Sequence, residues 1–295
     1  MTSFATATTV EEALAALAQG AKAVAGGTDL VVGARQGKAS LPDALVAIHR
    51  VSELHAIDET ADSLRLGALV THAEIAAHPA IRERFTALAD ASAIVGSHAT
   101  RAQGTIGGNV MNASPAMETG GPLICLGATA TLRSVEGTRT VSVEELLTGP
   151  GATAASADEL LVSVDLPAPA PGTGSAYVRL EYRRQMEIAV VGATTVVHLE
   201  DRRVQDARVA ITALAPTIRR VPDAEAALAG GEADDESLAA AARKAAAASA
   251  PISDVRASER YRRAMAEVIA RRAMEIAVAR ARGTVVPIPA SGARP

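Results

Sequence analysis

Apolar residues along the first stretch of the chain recur at helical spacing. Val10, Ala13, Leu14 and Leu17 fall on one stripe, with Thr8 and Glu11 at capping-box spacing at its start and Gly20 as its stop. Ala21 to Val24 and Leu45 to Ile48 read as short buried strands, so residues 1 to about 53 form a small α/β unit. A second unit runs from 54 to 170. Leu64-Arg65-Leu66 alternates as a strand does, and Thr71-His72-Ala73-Glu74 is a capping box opening a short helix. Ile81, Phe85, Leu88 and Ala89 share one face of a helical stretch. Beyond Pro115, Leu123 to Leu126 is apolar. Thr129–Leu132 and Thr140–Val143, joined around Glu136-Gly137, predict a hairpin, and Leu160–Leu166 is a strand ended by Pro167.

Pro167 to Gly174 is the clearest linker in the chain. After it the pattern changes to strands at Ala176–Leu180, Ala189–Leu199 and Val204–Leu214, then Ala-rich helices at about Glu236–Ala248 and Ser258–Arg282. The whole reads as α+β, with a separate C-terminal domain over 174–285 built from a small antiparallel sheet and helices. The acidic, Ala-rich stretch Asp223–Ser249 is expected to be a solvated surface. The tail, 286–295, is expected to be extended or frayed.

Composition narrows the function. The chain has 295 residues and is 48% apolar but only 2% aromatic, so it has enough length for two or three subdomains and too few rings for a base-stacking platform. A formal charge of −4 argues against a nucleic-acid partner. The single cysteine, Cys125, reads as buried apolar filler and provides neither a disulfide framework nor an iron–sulfur cluster. No metal-ligand cluster is evident, no apolar run approaches the ~20 residues of a membrane span, and no secretory signal is visible. A cytoplasmic location is the expectation.

Two side-chain-poor segments carry the chemistry: Val24-Ala25-Gly26-Gly27-Thr28-Asp29-Leu30 and Gly104-Thr105-Ile106-Gly107-Gly108-Asn109. Glycine lets backbone N–H groups approach a ligand closely and adopt φ > 0, and successive amides in such turns form concave anion sites. Either segment alone is as consistent with an ordinary tight turn; two of them suit a ligand with two phosphates. His72 and His98 read as surface or capping residues, and Arg183-Arg184 as a solvated pair or a contact for phosphate or a partner.

Ala25–Leu30, Gly67-Ala68-Leu69-Val70-Thr71-His72, Gly104–Asn109 and Tyr182-Arg183-Arg184-Gln185-Met186-Glu187-Ile188-Ala189 occur in that order. With these motifs the chain resembles, over nearly its full length, the FAD-binding subunits of molybdenum hydroxylases, the group of xanthine dehydrogenase and aerobic carbon monoxide dehydrogenase. The resemblance implies a two-part FAD-binding domain of the vanillyl-alcohol-oxidase (PCMH) type over 1–170. Both glycine segments would grip the FAD diphosphate through backbone amides rather than basic side chains, with Thr28, Thr105 and Asn109 adding hydrogen bonds. It places Glu118 where relatives carry Asp, Arg179 where many carry a Lys near the flavin ring, Leu161 as pocket lining or strand core, and Ile188 over the flavin or in the core. No histidine matches a covalent flavin link, so the FAD is expected to be noncovalent. No catalytic residue is expected in this chain.

The implied role is electron transfer. A large molybdopterin subunit would oxidise the organic substrate, and a small subunit with two [2Fe–2S] clusters would feed this FAD, in a dimer of heterotrimers. The external acceptor would be NAD, oxygen or a quinone. Thr28-Asp29 in the first segment leans the complex towards N-heterocycles, purines or aromatic thioesters. The alternatives are a stand-alone flavoprotein oxidase or reductase of the same fold, and a nonenzymatic nucleotide-binding protein.

Overall fold

The stripe Val10, Ala13, Leu14 and Leu17 is buried, as its spacing requires, on a helix over Val10–Ala18. Its cap sits one residue later than the sequence suggested. Thr9 Oγ1 accepts the Glu12 amide at 3.1 Å, while Thr8 closes the box by donating its own amide to Glu12 Oε2 at 2.7 Å. The computed structural model describes residues 3–37 and 39–290. Strands Ser3–Thr6, Ala44–Ala47 and Lys22–Val24 form a three-stranded parallel sheet with Ala44–Ala47 in the middle. The helix packs against it. The strand leading to the first glycine segment is less buried than expected, with Lys22 exposed and Val24 half-buried.

The second unit is a five-stranded antiparallel sheet in the order Ile57–Glu59, Ser63–Gly67, Leu160–Pro167, Thr129–Arg133, Thr138–Ser142. The expected hairpin is its outer pair. Leu64, Leu66, Leu132 and Val164 are fully buried beneath helices, each contributing on the order of 1.5–3 kcal/mol by removal from water. The helical stretch through Ile81 and Leu88 is two helices, Pro79–Arg84 and Thr86–Ile94, broken at Phe85 (φ −121°, ψ 48°). The break keeps the Phe85 ring in the core while turning the second helix towards the C-terminal unit.

In the C-terminal unit, strands Thr173–Leu180, Val191–Glu200, Arg203–Thr212 and the short Arg219–Arg220 form an antiparallel sheet. Helices Pro222–Leu228, Asp235–Ala247 and Glu259–Ala281 cover one face. The long helix lies so close that a Cβ on Gly174 would overlap the Ala277 carbonyl and the Ala281 amide. Leu228, Leu238, Ala241, Ala242 and Ala245 are buried under it, so the acidic stretch is solvated on one side only. The other face of the sheet packs on helices Thr86–Ile94 and Gly120–Cys125 of the second unit, where a Cβ on Gly121 would overlap Thr194 Oγ1. The sheet is thus the middle layer of three.

The tail does not fray where it is described. Ile288 packs against the core, Ala290 is buried, and the Ala290 amide donates to Asp90 at 2.8 Å. Residues 291–295 of the expected tail lie outside the described residues.

Candidate functional site

The two glycine segments, far apart in sequence, meet. A Cβ on Gly26 would overlap the Gln103 carbonyl and lie 3.4 Å from the Gly104 amide nitrogen, so only glycine allows the first segment to seat on the second. From the other side, a Cβ on Gly104 would be 3.5 Å from Thr28 Oγ1 and 3.4 Å from the His72 ring. Gly27 has φ +68°, the left-handed region in which glycine carries no Cβ penalty. Leu30 then opens a short helix to Arg35 with no buried residue; Asp29 stands at its N-cap position but makes no side-chain capping hydrogen bond.

The second segment is not a loop throughout. A helix over His98–Gln103 precedes it, Gly104 and Thr105 are extended, and Ile106–Asn112 is helical. Thr105 is the N-cap: its Oγ1 accepts the Gly108 amide at 3.1 Å, leaving its hydroxyl proton to donate elsewhere. Ile106 and Gly107 donate to the carbonyls of Val70 and Ala68 (both 2.9 Å), and Asn109 donates to the Thr105 carbonyl. The segment is thereby sewn to the Gly67–Thr71 strand end, and its amides from 106 to 109 are engaged within the chain. Among the described residues, the amides of Gly26, Gly27 and Thr28 donate to no backbone acceptor. Asn109 Oδ1 accepts from Thr119 Oγ1 at 2.6 Å, which leaves the Asn109 amino group as a donor. Gly108 is exposed, and a Cβ there would meet only Thr105 Oγ1, at 3.0 Å.

Glu118 and Arg179 find each other. Arg179 Nη1 donates to Glu118 Oε1 at 2.6 Å, its Nε to Glu181 Oε2 at 2.6 Å, and Nη1 reaches the Glu187 carbonyl at 3.4 Å. Burial pushes the Glu118 carboxyl up to about 7 against the pull of Arg179. Burial also works against the Arg179 charge, but Glu118, Tyr177 and Glu181 outweigh it and hold that guanidinium firmly protonated. Leu161 is buried in the central strand, opposite Leu132, as strand core. Ile188 is 47% exposed, which overturns the core alternative for that residue. It lies on a segment, 181–188, that crosses from the C-terminal unit to the approach of the second glycine segment. There the Met186 amide donates to the Gly96 carbonyl at 2.9 Å and the Thr100 hydroxyl to Met186 Sδ at 3.7 Å. Arg183 and Arg184 are exposed, and Arg183 is held by Glu187 and the Met186 carbonyl.

His72 is not the surface residue its helix-start position suggested. It is buried, its Nδ1 has no partner, and burial with the nearby Arg101 charge pushes its pKa down to about 4. Arg101 is the residue that sequence reasoning missed. It is buried in a run, His98 to Gln103, whose polarity reads as solvent-facing. Cys125 is buried apolar filler, as expected, with its thiol pushed well up by burial.

Three units converge here: a seat of free amides, a side-chain-poor helix start, and a covering segment from the C-terminal sheet. A junction of glycine segments with unengaged amides can take an extended anionic ligand, as an FAD-binding domain does. Residues 1–169 match the family described as the FAD binding domain in molybdopterin dehydrogenase, and residues 176–277 match the CO dehydrogenase flavoprotein C-terminal domain. The carbon monoxide dehydrogenase medium chain of Hydrogenophaga pseudoflava is 32% identical over 274 residues, 92% of this chain and 95% of that one. The nicotine 6-hydroxylase medium subunit of Paenarthrobacter nicotinovorans is 30% identical over 259 residues, 88% of this chain and 90% of its own length. A solved structure of carbon monoxide dehydrogenase from Hydrogenophaga pseudoflava superposes with a TM-score of 0.91 at 32% identity, covering 95% of this chain and 98% of that one. The chain belongs to the family of FAD-binding medium subunits of the molybdenum hydroxylases.

Among the described residues no helix is long and apolar enough to cross a membrane.

Proposed function

We propose that this chain holds FAD noncovalently and relays electrons through it, from two [2Fe–2S] clusters in a small partner subunit to an external acceptor such as NAD, oxygen or a quinone. The observation that carries this reading is the Gly26–Gly104 junction, where two glycine segments meet and the amides of Gly26 to Thr28 on the first are left without a backbone acceptor. Val24 to Leu30 seat one side of the diphosphate. Gly104 to Asn109 form the other, with Gly107 and Gly108 supplying clearance and Thr28, Thr105 and Asn109 supplying hydroxyl and amino donors. Glu118 and Arg179 hold the covering segment in place beside the flavin, Ile188 lies over it, and Leu161 backs the site. FAD supplies the one- and two-electron chemistry; the protein's part is position, electrostatics and exclusion of water.

In this reading residues 1–170 form the FAD-binding domain, 174–285 the C-terminal domain, and the organic substrate never touches this chain. It is oxidised at the molybdenum centre of a large partner, the three chains assembling as a dimer of heterotrimers in the cytoplasm. Relatives named for carbon monoxide and for nicotine match at similar identity, which supports a medium subunit that does not read the substrate. The lone, buried Cys125 agrees with clusters carried elsewhere. Reconstitution tests the proposal. The purified chain is expected to take up one FAD with visible flavin bands and to oxidise no organic substrate until large and small partners are added. A chain that takes up no FAD, or that turns over substrate alone, would overturn it, the second result in favour of a stand-alone oxidase.

A further inference from the structure

A buried guanidinium without a counter-charge is costly, so folded chains pair such groups. Three buried arginine side chains in this protein obey that rule: Arg179 meets Glu118, Arg262 meets Asp254 at 2.7 Å, and Arg280 meets Asp90 at 2.6 Å. Arg101, 8% exposed, has no carboxylate partner among the described residues. Its Nη1 donates to the Val95 carbonyl at 3.0 Å, and its Nη2 lies 3.1 Å from His98 Nδ1. Neither partner is a carboxylate.

Its position is fixed by a backbone crossing. Val95, which holds Arg101, precedes Gly96, which accepts Met186; Glu187 in turn accepts Arg179. The two guanidiniums therefore flank one crossing close to Gly104. The acids in reach are already committed: Glu118 and Glu181 to Arg179, Glu187 to Arg183. The Arg101 charge is disfavoured by burial and by Arg179, and it disfavours a proton on His72, whose ring packs against Gly104. The amides from Ile106 to Asn109 offer little compensation to an arriving anion, since they serve Val70, Ala68 and Thr105.

We propose that Arg101 is the counter-charge for the diphosphate of bound FAD, supplying on the second segment's side what the free amides of Gly26 to Thr28 supply on the first. This rests on the FAD reading above and amends the expectation that main-chain dipoles alone bind the diphosphate. The test uses the full chain, titrated with FAD, ADP and riboflavin. Arg101→Gln is expected to weaken FAD and ADP alike by about 10- to 100-fold, the loss of a charged hydrogen-bond partner. Riboflavin, which has no phosphate, is expected to bind Arg101→Gln and wild type equally, and Arg101→Lys to recover most of the FAD affinity. Ligand-free Arg101→Gln is expected to melt no lower than wild type, because an unpaired buried charge has gone; a merely structural arginine would give the opposite. Wild-type binding of FAD with an unchanged affinity in Arg101→Gln, or a loss equal for riboflavin and FAD, would overturn the role of Arg101 while leaving the FAD site standing. No FAD binding by wild type would overturn both. If Arg101→Gln does not fold, the wild type decides: ADP affinity that falls as salt rises supports the proposal, and salt-independent ADP affinity overturns it.

Discussion

Two places in this molecule bury charge, and they do so in opposite ways. At the seam between the second unit and the C-terminal sheet, Asp90 accepts from Arg280 Nη1 and Nη2 at 2.6 and 3.0 Å, from the Tyr177 amide at 3.2 Å and from the Ala290 amide at 2.8 Å. Arg280 also donates to the Ser175 carbonyl, which accepts Thr86 as well. Helix, strand, long helix and tail are pinned at one carboxylate with its acceptor capacity filled. Around the glycine junction the accounts are left open: Arg101 has no carboxylate partner among the described residues, and His72 Nδ1 has no hydrogen-bond partner. A satisfied network holds a fold together; an unsatisfied one is a place where something else binds.

The largest effect is expected at the seam. Asp90→Ala leaves the Arg280 guanidinium buried and unpaired and should cost about 3–5 kcal/mol, measured by urea unfolding, without weakening FAD in the fraction that remains folded. Equal losses from Asp90→Ala and Arg101→Gln in the ligand-free chain would erase the contrast between the two places.

The next effect is a pair of opposed pH dependences. Glu118 has a folded pKa raised by burial, so its contribution is full below its unfolded value near 4.5 and is lost as pH rises through about 7. His72 has a folded pKa depressed by burial and by Arg101, so its contribution is present above its unfolded value near 6.5 and is lost as pH falls through about 4. In the wild type the two slopes oppose each other between pH 4.5 and 6.5. Removing one exposes the other: Glu118→Gln should lose stability relative to wild type as pH falls across this window, and His72→Gln should gain it. Each change should be on the order of 2–3 kcal/mol across the range, followed by thermal melts at fixed ionic strength. Shifts of the same sign in both variants would contradict the charge assignment of the site.

The smallest effect marks the edge of the site. Arg183 is exposed and 3.6 Å from Glu187, so Arg183→Ala should change stability by no more than about 0.5 kcal/mol and leave FAD affinity unchanged. A tenfold loss of FAD affinity there would move the site outwards onto the 181–188 segment.

What the sequence showed and what it hid follow the same division. Elements stabilised by their own pattern were legible: the Val10–Leu17 stripe, the Thr71–Glu74 capping box, which forms with Thr71 N–H on Glu74 at 2.8 Å, and the long C-terminal helix. The glycine segments were legible as backbone built for close approach, and the structure brings them together at Gly26 and Gly104. Features made by distant partners were not. Phe85 breaks a helix whose apolar face is continuous in sequence, because tertiary packing turns the chain there. Asp90 looks like an ordinary polar residue in an Ala-rich helix until Arg280 and Ala290, far along the chain, are brought to it. The same contact explains why a proline-rich tail that reads as frayed is docked. Arg101 sits in a polar run, and its burial, with its guanidinium on the Val95 carbonyl, appears only in the folded chain.

The claim that the two glycine segments form one FAD cradle is tested most directly at Gly108. A methyl group there meets only Thr105 Oγ1 within the protein, at a close 3.0 Å that a shift of a few tenths of an ångström relieves, and alanine favours a helix over glycine by about 0.5–1 kcal/mol. Titration of Gly108→Ala with FAD, alongside its melting curve, is predicted to show a chain within about 1 kcal/mol of wild-type stability whose FAD affinity has fallen tenfold or more. A variant that binds FAD as tightly as wild type would contradict the cradle.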